Sequence, residues 1–468
     1  MVRKIMLQTS NSISLDRMAG LLSNGINLAS KLEKPILVSI TLPLLIDANP
    51  VKLFSGAKSI SDVRTFWAIP SERFWIVGVG QAAEIRVEGP ERFQQALAKH
   101  QGLMNSAICE DNAGPGPILM GGFSFRSGAP DNEIWQAFPE GLLTLPRWQV
   151  ASQQNHRWLT LNVMVNGHMT IEPFLKELSA QGAVLLQERT GLPSLHGATL
   201  KPSTNHWRAN VEQALEAVKN RKVRKLTFAR TLNVSCEKPI QPEPVLESLV
   251  QNYPNCRIFA FCRNDSCFVG ASPEELVSLS GKAVTSTCLA GSAPRGTSNK
   301  EDSRLSAWLM GSEKERKEHV IVVDWVSERM KKLCSQLKWD NVPHVIKLDN
   351  LQHLETHFTG MPKNVNHVLE FVAALHPTPA VGGIPLQPAL ELIEHLEQHA
   401  RGWYTGPVGW IDRHGSGSFA IAIRCALLRG NEAFLYAGSG IVAGSDPDRE
   451  YQETNNKFRP LLTALGMP

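Results

Sequence analysis

Short apolar blocks bounded by glycine and proline dominate the first third of the chain. RFWIVGVG (73–80), AEIRVEG (83–89) and GPILMGGFSF (116–125) read as strands. The most apolar run, Pro35–Ile46 (PILVSITLPLLI), is too short to span a bilayer and contains Pro43, so it reads as a buried strand. A helix is expected from EGPERFQQAL, with Pro90 near its first turn. Residues 157–235 alternate a strand (RWLTLNVMV), helices near 170–187 and 204–220, and a strand (KVRKLTFARTLNV). Beyond 236, apolar strands and amphipathic helices alternate up to a closing helix from about 447.

Adjacent strand pairs outnumber strand–helix–strand units. In SFAIAIRCALLRGNEAFLYAGSGIV (418–442) a Gly-Asn turn separates two strands, the signature of an antiparallel hairpin. The chain is therefore expected to be a mixed α/β (α+β) protein with large antiparallel sheets, not a doubly wound parallel sheet. WIVGVGQAAEI contains the G-x-G-x-x-A pattern at Gly78, Gly80 and Ala83. A dinucleotide loop needs a helix to begin there. AEIRVEG alternates as a second strand instead, so a turn is expected.

Two helices carry paired glutamates at one end of an apolar stripe. Glu318, Val322, Val326, Met330 and Leu333 share one helical face, with Glu315 one turn earlier. Glu450, Glu453, Lys457, Leu461 and Leu465 do the same on the last helix, where Ser445–Pro447 suits an N-terminus and Pro460 removes one backbone donor. Each pair alone could simply serve its helix start. Two pairs on two inward stripes argue for buried carboxylates, which need a partner or a cation. Carboxylates without His or Cys companions suit Mg²⁺ over Zn²⁺. His319 is read as structural.

Composition narrows the function classes. With 48 Lys+Arg against 44 Asp+Glu, the net charge of +4 is too mild for a nucleic-acid surface, and none is expected as a partner. The N-terminal MVRKIMLQTSNSISL lacks an apolar signal core. Eight scattered cysteines form no C-x-x-C pair, so neither structural zinc nor a disulfide framework is expected. Reduced thiols, a cytoplasmic location and no membrane association follow.

An ordered set of segments resembles the chorismate-utilising enzymes: isochorismate synthase, salicylate synthase, anthranilate synthase component I and aminodeoxychorismate synthase. The segments are KLTFAR (225–230), VGASPEEL (269–276), TCLAGSAPRG (287–296), SEKERKEH (312–319), LQHL (351–354), LHPTPAVGGIP (375–385), RGWYTGPVGW (401–410), AIRC (422–425), AGSGIVAGSDP (437–447) and EYQETNNK (450–457). Residues 201–468 resemble the family's chorismate-binding catalytic portion. Residues 1–200 match less distinctly and are taken as the N-terminal portion of the same sheet-rich fold, of the length seen in quinone-pathway isochorismate synthases. The resemblance implies one large domain of two packed, mostly antiparallel sheets with outer helices. It also implies Mg²⁺, with Glu318 and Glu453 similar to its ligands and Glu315 and Glu450 similar to supporting carboxylates behind them.

Within the family, LHPTPAVGG resembles the isochorismate synthase form of its loop. Ala290 stands where aminodeoxychorismate synthases carry a nucleophilic lysine. No G-x-C-x-G elbow marks a fused amidotransferase; the resemblance to isochorismate synthases implies no separate amidotransferase subunit and favours a monomer. The expected reaction adds water at C2 of chorismate as the C4 hydroxyl leaves. Salicylate synthase and anthranilate synthase component I are the alternatives, and a non-catalytic chorismate-binding relative is a third. Lys225 resembles the water-activating base and must act unprotonated, by burial or nearby positive charge. Glu274, rather than its neighbour Glu275, resembles the acid and needs a raised pKa. Arg424, on an apolar strand, is expected to grip the enolpyruvyl carboxylate, with a structural ion pair as the alternative. Tyr404, Gly438 and Gly440 would complete that pocket. Gly291 and Ser292 would contact substrate near the ring carboxylate, and His353 and Lys457 would line the site. Tyr404 and His353 stay open between substrate contact and packing. His376 is read as shaping its loop.

Overall fold

The Gly-Asn turn closes the expected hairpin: strands Cys425–Arg429 and Glu432–Ile441 pair antiparallel, with Cys425 opposite Tyr436 and Arg429 opposite Glu432. The structure is a computed structural model that describes residues 15–110, 114–128, 133–185, 199–200, 206–348, 350–397 and 399–467. The basic N-terminal stretch lies outside these residues, apart from its last position, as do the outer ends of the helices expected near 170–187 and 204–220. The described parts of those helices are Ile171–Leu185 and Trp207–Lys219.

Two sheets hold the described strands. The larger, of 13 described strands, has Lys225–Ser235 and Glu432–Ile441 near one end, then Cys425–Arg429, Ser266–Ser272, Arg257–Arg263 and Arg64–Ile69. The smaller, of 10, runs through Leu351–Pro362, Ala283–Pro294, Glu275–Ser280, Gly417–Ile421, Pro407–Asp412 and Ile118–Phe123. These neighbours are antiparallel; Ile36–Pro43 beside Ile108–Cys109 is a parallel exception. This is the expected α/β class with two mostly antiparallel sheets. Both sheets draw on both portions of the chain: Arg64–Ile69 pairs with Arg257–Arg263, and Ile118–Phe123 with Pro407–Asp412.

The sheets meet face to face because their strands alternate. Phe259 and Phe268 of the larger sheet share a core with Met120, Val408 and Ala420 of the smaller. Leu226, Phe228 and Ile441 meet Leu119, Val277 and Phe419 in the same way. Helices cover the outer face of the larger sheet through Leu22, Phe54, Leu246 and Leu461. Gly78 and Gly80 lead into the strand Ala83–Val87, as the alternation predicts, and Gly80 takes the turn at φ +69°. No described helix is long and apolar enough to cross a membrane.

One expectation about the cysteines is corrected. Cys262 and Cys267 face each other across the hairpin of Arg257–Arg263 and Ser266–Ser272, with Cα atoms 4.1 Å apart, and are disulfide-bonded. The pairing register makes them neighbours, which their five-residue separation did not advertise. The other six cysteines are free.

The feature that positions the site is a double crossover. Strands Ser266–Ser272 and Cys425–Arg429 pair in the larger sheet, while their continuations Glu275–Ser280 and Gly417–Ile421 pair in the smaller. The chain changes sheets at Pro273–Glu274 and again at residues 422–424. Backbone bonds stitch the crossings: Ala271 N donates to Arg424 O at 3.0 Å, and Ile421 N to Glu274 O at 3.2 Å. Strands that switch sheets make corners, where side chains point into the space between the layers.

Candidate active site

Beside this corner lies a cavity of about 70 Å³. It brings together Lys225, Glu274, Gly291, Ser292, Glu318, His353, Tyr404, Arg424, Gly438, Gly440, Glu453 and Lys457, residues drawn from positions 225–457 of the chain. Glu315 and Glu450 line an adjoining hollow that shares Ser292 and Glu453 with it.

Lys225 opens the strand Lys225–Ser235 and is 1% exposed. Its Nζ lies 3.0 Å from Glu318 Oε1. The contact requires Gly440 on the neighbouring strand, where a Cβ would collide with Glu318 Oε1 and press on Lys225 Cε at 3.1 Å. Gly291 takes φ +79°, and a side chain there would crowd Glu315.

Glu274, in the first crossing, is buried at 3% exposure. Burial pushes its pKa up to about 8, against the opposing pull of Lys225, Arg424 and Lys457. The group is therefore a carboxylic acid with a proton to give at neutral pH. Glu275 turns away to pair with Arg257 and accept from Thr285 Oγ1 at 2.7 Å.

Arg424 occupies the second crossing. It does not sit on a strand as expected: it falls between Gly417–Ile421 and Cys425–Arg429, in left-handed backbone at φ +51°. The kink turns its side chain into the cavity instead of along a sheet face. Among the described residues no carboxylate lies within ion-pair distance of this guanidinium, and burial lowers its pKa against the opposing pull of Tyr404 and Glu453. Arg424 Nη2 meets His353 Nε2 at 3.2 Å. His353 Nδ1 lies 3.0 Å from Ser292 Oγ and 3.3 Å from Gly291 O. Burial and the Arg424 charge push His353 down to about 3, so it is neutral; accepting from Arg424 puts its proton on Nδ1. An unpaired, buried, oriented guanidinium is a ready site for a carboxylate. Tyr404 stacks on Tyr436, with centroids 5.1 Å apart and planes 20° apart, and faces Gly438.

The four glutamates each have a partner. Glu453 Oε1 is 2.6 Å from Lys457 Nζ, which also donates to Gly438 O at 2.7 Å. Burial alone would raise Glu453, but Lys457 draws it down to about 2. Glu315 and Glu450 are raised by burial and by neighbouring carboxylates. Among the described residues no three His, Cys, Asp or Glu side chains form a cage for an ion. Mg²⁺ does not need one: it binds through one or two carboxylates and keeps waters or substrate oxygens on its other positions. The hard-oxygen donors Glu318 and Glu453, which both line the cavity among mutually repelling carboxylates, fit that requirement. His319 is engaged at both ring nitrogens, with Ala290 O at 3.2 Å and Thr356 Oγ1 at 2.8 Å, as scaffolding.

Sequence reasoning missed several cavity residues: Thr227, Thr405, Tyr436 and, in the adjoining hollow, Lys314. Three of them had a signal. Thr227 lies two positions after Lys225, and Tyr436 two before Gly438, so strand alternation puts each on the cavity face. Lys314 extends the Glu318–Val322 stripe back by one turn. Thr405 had none.

The chorismate binding enzyme family matches residues 24–466. Isochorismate synthase MenF of Bacillus subtilis is 33% identical over 454 residues, 95% of this chain and 96% of that protein. The salicylate biosynthesis isochorismate synthase of Pseudomonas aeruginosa is 32% identical over 462 residues, 97% of this chain and 95% of that one. The solved structure of MenF, the menaquinone-specific isochorismate synthase from Escherichia coli, superposes with a TM-score of 0.77 over 96% of this chain and 99% of that one; at 24% identity it speaks for the fold. With the two-sheet fold, the cavity at its crossover and a match across nearly its whole length, the chain belongs to the chorismate binding enzyme family.

Proposed function

We propose that the chain is an isochorismate synthase, converting chorismate to isochorismate. The observation that carries the reading is one cavity that holds a buried lysine, Lys225, and a buried glutamic acid, Glu274, beside a guanidinium, Arg424, with no carboxylate at ion-pair distance among the described residues. Lys225, once unprotonated, takes a proton from water as the water oxygen bonds to C2. The ring double bonds shift and the C4–O bond breaks. Glu274 gives its proton to the departing oxygen, which leaves as water, so one water enters and one is released. Arg424, held by His353, grips the enolpyruvyl carboxylate; Tyr404 and the backbone at Gly438 bound that pocket. Gly291 and Ser292 lie against the ring carboxylate.

Glu318 and Glu453 would hold Mg²⁺, with Glu315 and Glu450 behind them. When bound, the ion supplies positive charge to the ring carboxylate. In this reading the enzyme works in the cytoplasm as a monomer without an amidotransferase and serves menaquinone synthesis.

Incubation of the purified chain with chorismate and Mg²⁺, followed by product separation, tests the assignment. Isochorismate is expected. Salicylate with pyruvate as the main product replaces the reading with salicylate synthase, and anthranilate formed from ammonium salts replaces it with anthranilate synthase. A deletion strain that keeps its menaquinone contradicts the pathway.

A further inference from the structure

The two glutamate helices belong to different sheets. Helix Glu313–Leu333 packs on Ala283–Pro294 of the smaller sheet, and helix Pro447–Ala464 on Glu432–Ile441 of the larger. Each outer glutamate is anchored to the strand beneath its own helix. Glu315 Oε2 accepts from Ser292 N at 2.9 Å, and Glu450 Oε2 accepts from the Ser439 hydroxyl. Lys314 spans the gap between them: its Nζ lies 2.8 Å from Glu450 Oε1 and 3.4 Å from Glu315 Oε1. Both carboxylates are buried, at 5% and 2% exposure, so facing each other uncompensated would be costly.

We infer that Lys314 is a positioning residue for the cation site, a tethered ammonium that bridges the sheets and sets the spacing of Glu318 and Glu453. Those two lie one helical turn further along from Glu315 and Glu450, so a splay at the outer pair is transmitted to the inner one. The inference rests on the Mg²⁺ reading above. Two effects oppose each other when Lys314 is removed. On charge alone, losing an ammonium near a dication site would tighten Mg²⁺ binding. On positioning, two buried carboxylates are left to repel each other across a sheet boundary, and breaking a buried pair in this way is strongly unfavourable. The positioning effect wins, because Lys314 is half-buried and its charge acts on the inner pair partly through solvent, while its bonds to the outer pair are direct.

The test is calorimetric titration of Mg²⁺ alone into the metal-free full chain, with thermal unfolding of each variant alongside. Lys314→Met is expected to weaken Mg²⁺ binding about 10- to 100-fold, as loss of an outer-shell partner does. Lys314→Arg, which can still reach both carboxylates, recovers most of it. Glu450→Gln breaks the same bridge from its other end and weakens binding comparably, and adding Lys314→Met to it brings little further loss because the pair acts as a unit. Unchanged or tighter Mg²⁺ binding in Lys314→Met overturns the inference, as does no recovery with arginine. Should Lys314→Met not fold, Glu450→Gln and Lys314→Arg decide the question. A wild-type chain that takes up no Mg²⁺ overturns the metal reading itself.

Discussion

Lys225 and Glu318 form a buried ion pair, Nζ to Oε1 at 3.0 Å, that ties a strand of the larger sheet to a helix seated on the smaller. The proposed base is thus also a structural member. Truncating it strands a buried carboxylate. Lys225→Ala should abolish chorismate turnover and also lower unfolding stability by about 3 kcal/mol, the scale of a broken buried pair. Denaturant titration and substrate depletion read the two effects separately. Turnover retained in this variant would remove Lys225 from the chemistry.

Glu274 contrasts with it. Its pKa is raised from 4.5 to about 8, so the acid is protonated below that pH and lost above it. Activity on chorismate should fall about tenfold per pH unit above about 8, the behaviour of a single required proton. The stability sign follows from the same shift. The folded state holds the proton more tightly than the unfolded one, so stability declines as pH rises from about 4.5 to about 8 and then levels. Glu274→Gln, an isostere of the protonated form, should be inactive, fold normally and lose that component of the decline. An alkaline limb with no loss of rate sinks the acid assignment.

Arg424 is buried with no carboxylate at ion-pair distance among the described residues, which suits the proposed grip on the enolpyruvyl carboxylate. Arg424→Met should raise KM for chorismate about 100-fold or more, the loss of a charged, forked contact. The same variant removes a buried charge that has no carboxylate at ion-pair distance among the described residues, so its Tm should match or exceed wild type. Arg424→Lys should not rescue binding, because a point charge cannot reproduce the fork held by His353. A KM within twofold of wild type would contradict the assignment.

A second buried polar chain lies away from the cavity. Leu369 N donates to His367 Nδ1 at 3.2 Å; His367 Nε2 meets His100 Nδ1 at 3.0 Å; His100 Nε2 meets Asp412 O at 3.0 Å. The chain closes only with both rings neutral. Burial lowers His100 to about 4, and burial plus its neighbour lowers His367 to about 3, both from 6.5. The neutral pair therefore stabilises the fold fully above pH 6.5. That stability is lost as pH falls toward 4, by up to about 1.4 kcal/mol per unit for each ring. Chemical denaturation at pH 7 and pH 5 checks this. His367→Asn keeps the helix cap and should flatten the acid slope.

Much of this site was legible because its signals are local. The strand Lys225–Ser235, the hairpin at Gly430–Asn431 and the helix from Pro447 all follow from spacing and turn chemistry. The inward stripe of Glu318, Val322, Val326 and Met330 is buried as its period requires. The apolar run around Arg424 predicts a strand there, but such a run does not reveal where a strand changes sheets. The spacing of Cys262 and Cys267 does not disclose their bond for a related reason: register across a hairpin decides whether two cysteines meet, and register depends on the whole sheet.

Hydrophobic period and turn residues were enough to specify which face of each element turns inward, and the ordered motifs were enough to single out residues that line one cavity. A buried face does not name its partner, however, because burial is non-directional. Only the packed sheets decided that Glu274 and Arg424 share one corner, that Lys225 reaches Glu318 past Gly440, and that Lys314 joins two helices carried by different sheets. Those relationships arise from strand order and crossover, which are set by contacts between segments far apart in the chain.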